Sequence, residues 1–124
     1  MLRLKRAYDP ADDGDGDRVL VERLWPRGVA KDEARLSGWV KDLAPSADLR
    51  TWYGHAVERW PEFRRRYEAE LGAPEKQAAL RDLADRARGG VVTLVYAARD
   101  TEHSGALVLK EYLERHVRGG GGSG

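Results

Sequence analysis

Seven residues, Val91-Val-Thr-Leu-Val-Tyr-Ala97, constrain this chain more than any other stretch. They are nearly all apolar and rich in β-branched types, with no polar alternation, which is the pattern of a central strand covered on both faces. A second apolar run, Val19-Leu20-Val21, has the same character, and Pro26 and Gly28 then force the chain out of the sheet. Two covered strands far apart in one chain need helical crossovers between them, and such crossovers are right-handed. The expected architecture is therefore α/β: a small three-layer α/β/α domain around a mostly parallel central sheet of three to four strands.

The remaining elements follow from periodicity and punctuation. Leu2 to Tyr8 alternates before Asp9-Pro10 and predicts a first strand. Val29 to Leu36 predicts one or two helical turns, and Trp39-Val40 with Leu43 is compatible with a short strand or a helical turn. Ser46 is a good N-cap for a helix over Ala47 to Tyr53, which Gly54 ends. Trp60, Phe63, Tyr67 and Leu71 form one helical stripe, and Pro61, tolerable only in a first turn, sets the start near Glu58. A further helix starts at Pro74, carries Leu80, Leu83, Ala84 and Ala87, and ends at Gly89-Gly90 as a C-cap. Asp100 or Thr101 is expected to cap the last helix, whose buried face is Ala106, Leu109, Leu113 and Val117, flanked by Leu107.

Composition bounds the function. With 124 residues, 41% of them hydrophobic, the chain fits one domain over residues 1–118, followed by a flexible Gly/Ser tail at Gly119 to Gly124. Lys plus Arg is 22 against 21 Asp plus Glu, a net charge of +1, which lacks the basic excess of a duplex DNA binder. Cysteine is absent, which excludes disulfides, thiolate catalysis and Cys-based zinc sites. The opening Met-Leu-Arg-Leu-Lys-Arg has no apolar signal core, and no stretch approaches the roughly 20 apolar residues of a membrane span. A soluble, cytoplasmic protein with no membrane association is expected, of an oligomeric state that the sequence does not fix.

The candidate site lies where the strands end. Arg23 and Arg27 bracket Trp25 at the exit of one core strand, Tyr8-Asp9 follows the first, and Arg99-Asp100 follows the last. Parallel strands bring such exits together, and that edge is where open α/β sheets hold ligands. Arginine forks grip phosphate or carboxylate at two points, and a helix start around Thr101 to His103 would add backbone donors. The leading expectation is a small anionic ligand (phosphate, carboxylate or a nucleotide stacked on Trp25) bound by Tyr8, Arg23, Trp25, Arg27 and Arg99. The alternative is an enzyme on the same pocket, with His103 or His55 as base, Asp100 or Asp9 orienting it, and Tyr8 or Tyr96 as proton donor. For a single arginine the plainer reading is an ion pair with Glu22, Asp32 or Glu33.

Other motifs carry less. Arg64-Arg-Arg66 would serve a nucleic-acid or protein-interaction module, but its interleaving with Glu62, Glu68 and Glu70 reads better as a solvated, salt-bridged face. Asp13, Asp15 and Asp17 imitate a calcium loop, yet Arg18 and Leu24 stand where that loop needs Gly and Glu, so a solvated turn is expected. His55, His103 and His116 include no i, i+4 pair, which points away from a metal, and His116 is expected to be solvated. No Gly-rich phosphate loop is present and no cofactor is expected.

Arg23-Leu-Trp-Pro-Arg-Gly28, Lys31, Trp39, Ala44-Pro-Ser46, Leu49-Arg50, Trp52, His55, Phe63, Tyr67, Glu70-Leu71, Thr93-Leu-Val-Tyr-Ala-Ala98, Asp100 and His103 together resemble the YeaO-like family, domain of unknown function 488. The resemblance runs from about Leu4 to Val117 and implies a compact α/β domain with no established reaction. It also implies His-Asp-Pro where this chain has His55-Ala-Val57, and His-Asn where it has His103-Ser104. Roles that need a carboxylate or amide directly after either histidine are thus not implied here.

Overall fold

A computed structural model describes the backbone of residues 1–117. The expected tail at Gly119 to Gly124 lies outside the described residues, as do the side chains of His116 and Val117. The strands β1 (Leu2–Arg6), β2 (Asp17–Leu20), β3 (Gly38–Trp39) and β4 (Val92–Tyr96) form one sheet in the order β1-β4-β2-β3. Every pairing is parallel. Helix α1 (Lys31–Ala34) links β2 to β3, helices α2 (Ala47–Tyr53), α3 (Trp60–Leu71) and α4 (Gln77–Gly89) link β3 to β4, and α5 (Gly105–Tyr112) follows β4. The fold is the expected small α/β domain, and no helix among the described residues is long and apolar enough to cross a membrane.

The apolar run at Val92–Tyr96 takes an inner position, beside β2, and every one of its residues is buried. Register aligns Leu4, Leu94 and Val19 across three strands, and Lys5, Val95 and Leu20 one step further on. Side chains alternate faces along a strand, so these two rows lie on opposite sides. On the first side Val19, Val21, Val92, Leu94 and Tyr96 join Leu49, Phe63, Tyr67, Leu80, Leu83 and Leu109 in one core. On the second side Leu20 and Val95 are buried beside two polar residues, Arg18 and Thr93, under the Asp9 to Gly16 connection and α1.

That connection corrects the expectation of a solvated turn. Asp13–Asp15 is a 3-10 turn with an Asp12 capping box, and Asp15 is only 4% exposed. Its carboxylate accepts from Arg18 at 2.6 Å and from Lys5 at 3.0 Å, while its carbonyl accepts the Thr93 hydroxyl at 2.7 Å. Gly16 turns the chain into β2 at φ 61, and a Cβ there would stand 2.2 Å from the Val91 carbonyl oxygen.

The helices follow their signals, with differences at their ends and buried faces. Ser46 Oγ accepts from the Leu49 N–H, and Gly54 closes α2 in the left-handed region. A 3-10 turn at Val57–Arg59 precedes α3, which buries Phe63, Tyr67 and Leu71 but leaves Trp60 half-buried. Helix α4 runs through Gly89, and Gly90 is extended, so the chain enters β4 without the expected glycine cap. Ser104, rather than Asp100 or Thr101, caps α5, accepting from the Leu107 N–H. Val108 is buried and Leu107 is not, because α5 packs on β1, β4 and α3 together and needs a broader apolar face than one stripe.

Candidate functional site

A cavity of about 760 Å³ opens beside the C-terminal ends of β2 and β4, bounded by α2, α3 and the start of α5. Val21, Phe63 and Ala106 supply apolar wall, and Glu22, Arg50, Tyr53, His55, Arg99, Asp100 and His103 supply its polar and ionisable groups. The volume is in the range of small-molecule sites.

Glu22 follows directly from the end of β2. Val21 still bonds the Val95 carbonyl at 3.0 Å, so the next residue is delivered to the sheet edge, where Glu22 Oε2 accepts from the Ala97 N–H at 2.8 Å. Burial pushes this carboxyl above the usual glutamate range, opposed by the Ala97 bond and by the positive charge of Arg50 and His55. Arg50 comes from α2, three residues before the buried Tyr53 and so on the helix face turned inward. Its Nε is the buried side-chain nitrogen that has no hydrogen-bond partner among the described residues.

The Asp100 loop supplies the opposite wall. Its Oδ1 accepts from the N–H groups of Glu102 and His103 at 3.0 and 3.1 Å, and its Oδ2 lies 2.8 Å from His103 Nδ1. A carboxylate can only accept, so Nδ1 carries the proton and Nε2 is the free ring nitrogen. Burial alone would raise Asp100, but the bonds from the His103 ring and the two amides outweigh it and hold the carboxyl below the usual range. Tyr53 donates to the His103 carbonyl at 2.9 Å, and the Trp60 ring meets the imidazole edge-on at 5.3 Å. Burial, with the Asp100 charge second, raises the Tyr53 phenol. His55 follows Gly54 with φ 58, a left-handed conformation uncommon outside glycine and held here at the cavity rim.

The structure brings His55, Arg99, Asp100 and His103 together at this cavity. Tyr8, Arg23, Trp25 and Arg27 do not line it. Arg23 donates to the Pro45 carbonyl at 3.3 Å, clamping the β2 exit to the start of α2. Trp25 donates to the Val29 carbonyl at 2.7 Å and packs edge-on against Trp39, and Tyr8 donates to the Arg27 carbonyl at 3.0 Å. The strand exits do meet, but the side chains of Tyr8, Arg23 and Trp25 close on backbone carbonyls, and that of Arg27 is exposed. The backbone donors expected from a helix start at Thr101 to His103 are absent, since α5 begins at Gly105 and two of those amides already serve Asp100. Asp9 and Tyr96 do not line the cavity either. Sequence reasoning missed Glu22 and Arg50; the signals were a carboxylate set straight after a core strand and an arginine spaced i−3 from an inward Tyr53.

The chain belongs to the family described as the inactive DUF488-N3 subclade, whose model matches residues 1–121. It is 46% identical over 112 residues to the uncharacterized protein Rv3073c of Mycobacterium tuberculosis, covering 90% of this chain and 92% of that one. It is 42% identical over 112 residues to the uncharacterized protein YeaO of Escherichia coli, covering 90% of this chain and 96% of that one. No solved structure matches it significantly.

Proposed function

We propose that this cavity binds a small anionic group, phosphate or carboxylate, on the Arg50 guanidinium. One observation carries the reading: Arg50 Nε is buried beside the cavity without an acceptor. An unmet buried donor costs about 1–3 kcal/mol, which an incoming oxyanion returns as a charge-assisted bond. Arg99 adds positive charge at the same cavity, and His55 lines it. The role first sought at Arg23 and Arg27 passes to Arg50, because Arg23 is engaged by Pro45 and Arg27 lies elsewhere. A cytoplasmic setting goes with this reading, in keeping with a chain without cysteine.

The catalytic alternative rests on a specific pair, His103 oriented by Asp100 at 2.8 Å. The family's description as inactive favours binding over turnover. A nucleic-acid role is disfavoured, because Arg65 and Arg66 pair with Glu62, and Arg64 with Glu68 and Glu111.

Calorimetric titration of phosphate, sulfate, succinate and a mononucleotide into wild type, Arg50→Lys and Arg50→Ala tests the proposal. Wild type is expected to bind at least one more tightly than about 1 mM, roughly −4 kcal/mol. Arg50→Lys should bind it more weakly despite the retained charge, since an ammonium lacks the planar fork. Failure of all four to bind wild type, or undiminished binding to Arg50→Ala, would overturn it. Turnover of a bound ligand that is lost in His103→Ala while binding persists would favour the enzyme.

A further inference from the structure

The two carboxylates of the cavity are in different states. Both Asp100 oxygens are engaged, Oδ2 by the His103 ring and Oδ1 by two backbone amides. Glu22 engages Oε2 with the Ala97 N–H at 2.8 Å, while Oε1 has no partner among the described residues. Arg50 is its complement, a guanidinium whose buried Nε lacks an acceptor. The two line one cavity and feel each other's charge, yet they form no ion pair with one another. Separate elements hold them apart: the Ala97 amide pins Glu22 at the sheet edge, and α2 carries Arg50.

A half-buried acid and base that do not meet are each poorly compensated, and the cavity between them rewards whatever bridges them. A plain anion would satisfy Arg50 but bring like charge toward Glu22. A ligand with a positive N–H donor at one end and an oxyanion at the other satisfies both. We propose that the ligand is a small zwitterion, its ammonium held by Glu22 and its carboxylate or phosphate held by Arg50, with a short carbon chain against Val21, Phe63 and Ala106. This deepens, and rests on, the anion-binding reading given above. The cavity, about 760 Å³, is larger than a bare phosphate requires.

Matched ligand pairs differing only in the ammonium group provide the test: O-phosphoethanolamine against ethyl phosphate, and β-alanine against propionate, titrated calorimetrically into wild type and Glu22→Gln. Wild type is expected to favour the ammonium-bearing member of one pair by tenfold or more, and the favoured pair distinguishes phosphate from carboxylate. Glu22→Gln, which keeps an acceptor for the Ala97 amide, is expected to lose the preference while binding the plain anion as well as or better than wild type. Binding of ethyl phosphate or propionate with no preference for its partner would overturn the zwitterion and leave the anion reading standing. Failure of all four to bind wild type would overturn both. A preference that survives in Glu22→Gln would also overturn the assignment, and this arm is read only in variant protein whose melting transition remains cooperative.

Discussion

Two polar clusters flank the same sheet, one closed and one open. On the side of Arg18 and Thr93, Asp15 takes Arg18 and Lys5 on its carboxylate, Thr93 on its carbonyl, and Arg18 also reaches the Ala34 carbonyl at 2.8 Å. The cluster matches its own donors and acceptors and ties the Asp9 to Gly16 connection and α1 to the strands. At the cavity, Glu22 keeps an acceptor unmatched and Arg50 a buried donor unmatched. Buried polarity that closes on itself fixes a fold; buried polarity left facing a cavity is arranged for something that arrives from outside.

The largest expected effect lies on the closed side. Arg18→Met strips Asp15 of its shortest ion pair and should lower unfolding stability by about 3 kcal/mol in urea titration, the scale for breaking a buried pair. Arg50→Met should lower it by less than about 1 kcal/mol, because no hydrogen bond is lost. Equal losses would break the comparison and make the cavity cluster structural.

Acid titration separates Asp15 from Glu22 by sign. Burial alone would raise Asp15, but Lys5, the Asp12 amide and Arg18 outweigh it and lower the carboxyl. The stability Asp15 supplies is therefore present above the ordinary aspartate value and lost as pH falls through its lower folded value. Burial raises Glu22, so its penalty operates above its folded value and is relieved as pH falls from neutral through that value. Melting temperature should rise slightly and then fall between neutral pH and about pH 3. Glu22→Gln should abolish the rise, and Asp15→Asn should start from lower stability and flatten part of the fall. A monotonic fall in wild type, unchanged by Glu22→Gln, would remove the distinction.

The smallest effect is expected at the motif that names the family. Arg27 is exposed, so Arg27→Ala should change stability by no more than about 0.5 kcal/mol and leave anion binding untouched. A loss of binding in that variant would return the site to the strand-exit arginines.

The covered strands, the Ser46 cap and the stripe of α3 were legible because each rests on local chemistry with a single solution. The cap of α5 was less so: Asp100, Thr101 and Ser104 are all capping types, and packing of Ala106, Val108 and Leu109 decides for Ser104. Parallel strands foretold that the exits of β1, β2 and β4 meet, but not to which side each side chain turns. Arg23 turns to Pro45 and Trp25 to Trp39, so the conspicuous motif became scaffold, whereas Glu22 and Arg50, ordinary in sequence, face the cavity. The burial of Asp15 had no periodic signal, since it depends on Arg18 and Thr93 from two strands that meet only in the folded sheet.

The claim that the cavity cluster awaits an outside acceptor is tested most directly at the Arg50 Nε–H, followed by nitrogen–proton NMR as phosphate is added. Arg18 serves as the internal control, its Nε–H already donated to the Ala34 carbonyl. The Arg50 signal, assigned by its loss in Arg50→Lys, should shift downfield in proportion to occupancy, while the Arg18 signal stays fixed. An Arg50 signal that does not move when phosphate is saturating would contradict the account.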